Sequence, residues 1–216
     1  MTFPVVAATN TSTQASSTSH TVNLPASIAA GDLLLIFFGY NNSADDVVTP
    51  SGWTQFINVS NGGRFYGYYK VADGGEGGSV SITSGSAGNS QHNSYRITGY
   101  QGTPEVATAT GSSATPDPPN LAPSWGAADT LWVAAAHPVN GAADLTAPTN
   151  YGGLIQTAPS TFHVGSATRQ LNAASENPGT FGGANNSVWE TATVAVRPAG
   201  AGAAAKMHNY RRRRAA

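Results

Sequence analysis

Leu33-Leu34-Leu35-Ile36-Phe37-Phe38 is apolar at every position. The run is too short for an independent helix and follows Ala30-Gly31-Asp32, so it reads as a strand covered on both faces. Shorter strand signals surround it, separated by Gly, Pro, Asn and Ser. Residues 3–8 and 20–24 bracket a Ser/Thr-rich stretch. Residues 53–59 lead through Asn61-Gly62-Gly63 into 64–71, a hairpin whose three-residue connection implies a bulged turn. A Gly-rich loop over 71–78 precedes strands at 79–83 and 93–100. The second half offers strands at 105–110, 117–121, 130–136, 151–157, 161–171, around Phe181, and at 187–197. No stretch sustains a 3.6-residue period with caps, which predicts very little helix.

The order of these signals recurs. Segments 3–101 and 103–199 match at an offset of 97 to 100 residues. Asn23-Leu24-Pro25-Ala26-Ser27 returns as Asn120-Leu121-Ala122-Pro123-Ser124, Pro50-Ser51-Gly52-Trp53 as Pro148-Thr149-Asn150-Tyr151, and Glu76 falls opposite Glu176. Such a pattern reports on architecture more than on a unique active site. Two arrangements fit: a small sandwich per half, or one two-sheet sandwich with the halves related by a pseudo-twofold axis. The second is preferred, because the unbroken apolar run needs a layer on each side. The expectation is an all-β, jelly-roll-like sandwich built from an internal duplication. Residues 1–200 would form a single domain, and 201–216 a Gly/Ala linker with a basic tail.

Composition sharpens this reading. Charged residues make up only 10% of the chain, against roughly 25% in ordinary globular domains, so hydroxyl and amide groups must keep the exterior wet. There is no cysteine, which excludes a disulfide framework and thiolate metal sites. Met1-Thr2-Phe3-Pro4 lacks the basic start and apolar run of a signal peptide, and no run is long enough to span a bilayer. The expectation is a chain made in a reducing cytoplasm, with no membrane association. The near-neutral net charge hides an asymmetry: residues 1–200 carry eleven acidic and five basic groups, net −6, and residues 201–216 carry +5.

Candidate chemistry is sparse. Asp45-Asp46 in a turn-rich loop lacks the ligand spacing of a calcium site. Glu76 and Glu176 would have to share one cleft to act as a glycosidase pair, and turn roles suit them better. His20, His92, His137, His163 and His208 show no helical metal spacing. There is no nucleophile elbow and no phosphate loop. No catalytic residue, metal or cofactor is expected. In Arg64-Phe65-Tyr66-Gly67-Tyr68-Tyr69-Lys70, Tyr66 and Tyr68 share one face of a strand. They are either an exposed stacking platform for a sugar or, preferred, the cover of a second layer with hydroxyls at the rim. In the tail, Lys206, Tyr210, Arg211, Arg212, Arg213 and Arg214 are candidates for contact with nucleic acid or an acidic protein surface, including a neighbouring copy.

Ala30-Gly31-Asp32-Leu33-Leu34-Leu35, Pro50-Ser51-Gly52-Trp53-Thr54, Tyr69-Lys70-Val71-Ala72 and the closing Ala195-Val196-Arg197-Pro198-Ala199 together resemble β-rich structural proteins of tailed-bacteriophage virions. The resemblance spans residues 20–199. It implies a non-enzymatic virion component assembled in bacterial cytoplasm, foremost a capsid decoration (cement) protein. Its partners would be the major capsid protein or other virion proteins, and copies of itself in a homo-oligomer. The alternative is a tail fibre or spike domain that binds a host-surface glycan through Tyr66 and Tyr68.

Overall fold

The computed structural model describes residues 2–43, 46–139, 144–157, 162–185 and 187–200. They form two antiparallel sheets packed face to face, with no helix among the described residues. The first sheet contains β1 (Val5–Asn23), β2 (Leu33–Tyr40), the two-residue β3 (Val47–Val48), β4 (Thr54–Ser60), β5 (Arg64–Val71) and β6 (Ser79–Thr98). The second contains β7 (Glu105–Ser113), β8 (Ala128–Pro138), β9 (Gly152–Gln156), β10 (Gly165–Ala173) and β11 (Ser187–Val196). The first sheet runs β1-β6-β2-β5-β4 with β3 paired to β6, and the second runs β7-β11-β8-β10-β9. Leaving β3 aside, the strand order is the same in both.

Connections outside the ladders correspond as well. Leu24 N donates to Gly78 O and Leu121 N to Glu176 O, each at 2.9 Å. Trp53 N donates to Pro50 O at 3.1 Å and Tyr151 N to Pro148 O at 3.0 Å. The third residue of each of these turns is left-handed, Gly52 at φ 80° and Asn150 at φ 68°, the conformation that Gly and Asn tolerate best. The path is not that of a jelly roll. Each half keeps its strands in one sheet, and the chain crosses between sheets once, between β6 and β7, because every hairpin closes within its own half.

The unbroken apolar run in β2 is buried on both faces. Leu33, Leu35 and Phe37 point between the sheets, against a cluster that includes Leu131, Val133, Val164 and Val194 from the other half. Leu34, Ile36, Phe38 and Tyr40 point the other way, into a second cluster with Val22, Trp53, Tyr66 and Ile82. In β8, Leu131, Val133 and Ala135 face inward, and Trp132, Ala134 and Ala136 lie in a third cluster with Leu121, Tyr151 and Phe181. Each fully buried side chain of this size contributes about 1.5–3 kcal/mol, so both outer layers matter to stability alongside the shared interior.

What covers the outer face of the first sheet differs from the expectation. Residues 9–19 form no loop between two strands; β1 is one strand of 19 residues. β6 is likewise one strand of 20 residues where two were expected. The two pair along their length, with register shifts between Val6 and Ala8 and on either side of Ser17. Beyond that point the ribbon folds back over its own sheet. Asn23 N donates to Ser12 Oγ at 2.9 Å, Ser94 Oγ to Asn23 O at 2.7 Å, and Asn10 Nδ2 to Leu24 O at 3.0 Å. The fold-back lays Val22, Leu24 and Ile82 on Leu34, Ile36 and Phe38. In the second half, loops do this job: Phe181 N donates to Pro116 O at 2.8 Å and Ala184 N to Ala114 O at 3.2 Å. The strand expected at 117–121 is therefore a loop that makes an isolated bridge at Leu121.

Candidate functional site

Polar side chains cluster at two buried places, one between the sheets and one under the ribbon. On β6, residues two apart share a face, so Gln91, Asn93 and Tyr95 all point toward the second sheet. Gln91 Nε2 donates to Phe162 O at 2.8 Å, and Gln91 Oε1 accepts from the Thr157 hydroxyl. Asn93 Nδ2 donates to Ser166 Oγ at 2.9 Å and to Ile155 O at 3.1 Å; the Tyr95 hydroxyl bonds Ser166 Oγ at 2.6 Å. These bonds fix the register of one sheet on the other, which apolar packing alone leaves loose.

A second cross-link lies at the β4–β5 turn. Glu190 on β11 is fully buried. Its Oε1 accepts from Asn61 N at 2.5 Å and its Oε2 from His137 Nδ1 at 2.9 Å. Asn61 Nδ2 also donates to Gly111 O at 2.7 Å. The His137 ring stacks on Phe65, with centroids 5.9 Å apart, and meets Phe162 edge-on. Two glycines make room for it: a Cβ on Gly39 would fall 2.4 Å from His137 Cδ2, and one on Gly63 would fall 3.0 Å from His137 Cε1. A carboxylate orienting an imidazole is the arrangement of a general base. Here, however, His137 Nε2 is buried without a partner, so substrate has no access to it. His163 is also buried, with both ring nitrogens unpartnered; burial, with His137 nearby, lowers its pKa to about 4.

Under the ribbon, five hydrogen bonds run in series. Ser12 Oγ meets His92 Nδ1 at 2.9 Å, His92 Nε2 meets Ser90 Oγ at 2.7 Å, and Ser90 Oγ meets His20 Nδ1 at 2.7 Å. His20 Nε2 then meets Ser84 Oγ at 2.9 Å, and Ser84 Oγ donates to Ser86 O at 2.8 Å. The last bond fixes all the others. Ser84 has given its one proton to a carbonyl, so His20 Nε2–H must donate to it. A neutral His20 then accepts at Nδ1 from Ser90, and Ser90 accepts from His92 Nε2–H. His92 in turn accepts at Nδ1 from Ser12, which accepts from Asn23 N. Every member is satisfied, with both imidazoles neutral. Burial lowers the pKa of His20; burial, with His20 nearby, takes His92 down to about 3.

Tyr66 and Tyr68 do not form the exposed platform of the alternative reading; they are packed into a second layer, with their hydroxyls buried and not at a rim. Their side chains are 1% and 0% accessible and stack on each other with centroids 6.1 Å apart, because β3 and the ribbon cover that face. Val47 N donates to the Tyr66 hydroxyl at 3.2 Å, whereas the Tyr68 hydroxyl is buried without a partner. Asp46 pairs with Arg64 at 3.3 Å in an exposed loop. Glu76 takes Lys70 at 3.0 Å, and Glu176 takes Arg169 at 2.8 Å, each closing a turn of its own half. Lys206, Tyr210 and Arg211 to Arg214 lie outside the described residues, as does His208. Among the described residues no three His, Asp or Glu are grouped to hold a metal ion.

Sequence alone puts His92 in a polar loop and leaves His20 without a role. The alternation Ser90-x-His92-x-Ser94 against Gln91-x-Asn93-x-Tyr95 is the available signal, legible only once 79–98 is taken as one strand. Comparison with protein-family models, curated proteins and solved structures returned no match. The buried polar groups thus hold layers together, and the recesses lie elsewhere. One, of about 560 Å³, opens beside Leu24, Ser27 and Gly78; another, of about 400 Å³, opens between the β1 and β9 edges.

Proposed function

We propose that this chain is a non-enzymatic structural protein of a tailed-phage virion, foremost a capsid decoration protein that packs beside capsid subunits and its own copies. The observation that carries the reading is the β1 edge. β1 is the outermost strand of its sheet, is 19 residues long, and contains no Asp, Glu, Lys or Arg. Free-standing proteins guard long strand edges with charge, proline, short length or bulges. β1 has only the bulges near Val6 and Ser17, and the uncharged edge between them suits a chain that meets a neighbour there. The resemblance of residues 20–199 to virion proteins supports the same reading. We further infer descent of the two halves from a duplicated module, supported by the common strand order and the corresponding turn bonds. The glycan-binding alternative loses support, since its two stacking residues are buried.

The basic tail is the proposed attachment arm, because its +5 complements a body of −6. The test is co-sedimentation of purified protein with phage heads stripped of it, using the full chain and a 1–200 truncation. The full chain is expected to rebind saturably, and the truncation to bind more weakly while melting at the same temperature. Absence of rebinding by the full chain would overturn the decoration role, and equal occupancy would remove the tail from it.

A further inference from the structure

We propose that the folded-back ribbon, residues 17–23 of β1 with 79–88 of β6, is an acid-released clasp over the first sheet, held shut by the His20–Ser90–His92 chain. The geometry admits one neutral proton arrangement. A proton added to His20 makes Nδ1 a second donor toward Ser90, which already accepts from His92. A proton added to His92 turns Nδ1 into a donor toward Ser12, which already accepts from Asn23. Either event strands a hydroxyl hydrogen and places a cation in a layer where, among the described residues, no carboxylate pairs with it.

The surroundings offer no rescue. From β2, Phe38 stacks on His92 with centroids 4.8 Å apart, and Phe38 and Tyr40 meet His20 edge-on at 5.5 and 5.3 Å. The Tyr40 hydroxyl donates to Ser86 O at 2.7 Å. From β1 and β6 the contacts are Ser12, Ser84, Ser90 and the other imidazole. β3 contributes Val47, and the exposed Arg64–Asp46 pair acts on Tyr66. Among the described residues no carboxylate touches either ring.

Opening removes this frustration. The closed ribbon binds fewer protons than the open one at pH values below the ordinary imidazole pKa of about 6.5. Acid therefore favours opening until the closed form itself titrates, for His92 at about 3. By linkage, lowering pH from 7 to 4.5 raises the opening equilibrium by about 100-fold for each imidazole that stays neutral when closed. Release uncovers Leu34, Ile36, Phe38, Tyr66 and Tyr68 while the inter-sheet bonds stay in place.

Amide hydrogen exchange by NMR tests the clasp, with protection factors corrected for intrinsic pH dependence. The ribbon amides Thr21, Val22, Val80 and Ile82 should lose about 100-fold protection or more between pH 7 and 4.5. Strands β8 and β11 lose protection only through global unfolding, to which His163 contributes. At pH 4.5 they should therefore stay at least about tenfold more protected than the ribbon, and an apolar dye should bind in the same pH range. His92→Gln, neutral at that position throughout, should shrink the response to the share of His20; if that variant does not fold, the wild-type comparison of ribbon with β8 and β11 decides alone. Ribbon protection that is flat over this range would overturn the proposal. So would equal protection of the ribbon, β8 and β11 at pH 4.5, which would leave global unfolding as the only opening.

Discussion

Asn61, at the tip of the β4–β5 hairpin, donates its backbone N–H to the carboxylate of Glu190 in the opposite sheet at 2.5 Å. The same carboxylate holds His137, so one buried side chain ties a turn of the first half to two strands of the second. Removing one partner of a buried charged network costs about 3–5 kcal/mol. Glu190→Ala should destabilise the protein by that order in urea denaturation, since it strands both donors. A loss below about 1 kcal/mol would show that the contact is incidental.

Gly39 is held open by the His137 ring. Gly39→Ala forces overlap in a packed interior, for which about 1–3 kcal/mol is typical. Gly78 has open space where a Cβ would stand and no positive φ, so Gly78→Ala should lie within about 0.5 kcal/mol of wild type. Thermal unfolding of the pair checks the contrast; equal effects would contradict it.

Two adjacent buried tyrosines should respond oppositely to loss of their hydroxyls. Tyr68→Phe removes an unpartnered buried polar group and should be neutral or stabilising. Tyr66→Phe leaves Val47 N without its acceptor and should cost about 1 kcal/mol. Denaturation midpoints of the two variants give the comparison, and destabilisation by Tyr68→Phe would show an unseen partner.

His163 makes stability depend on pH. The unfolded chain protonates it near pH 6.5, and the folded chain at about 4. Between those values the unfolded state binds more protons, so this contribution is complete above 6.5 and is lost as pH falls toward 4. His163→Leu should therefore gain stability relative to wild type at pH 4.5 more than at pH 7. An identical difference at both values would place the ionisation elsewhere.

Much of the fold was legible, for identifiable reasons. The run Leu33 to Phe38 announced a strand buried on both faces, and Asn61-Gly62-Gly63 announced the hairpin that now carries the inter-sheet bond. The Ser/Thr-rich residues 9–19 hid their strand because hydroxyl side chains show no apolar alternation. Their order comes from backbone pairing to β6, from Thr9 with Tyr95 to Ser19 with Thr83, 64 to 86 residues away. The same separation hid the histidine chain, whose members Ser12, His20, Ser84 and His92 become neighbours only after the ribbon folds back. Tyr66 and Tyr68 showed their common face in the sequence; what covers that face depends on the ribbon.

The number of copies of this chain in a purified phage particle, counted by quantitative mass spectrometry against the major capsid protein, tests the proposed role most directly. A shell component is expected at hundreds of copies, in a fixed ratio to the capsid lattice. A handful per particle, or none, would contradict the decoration role.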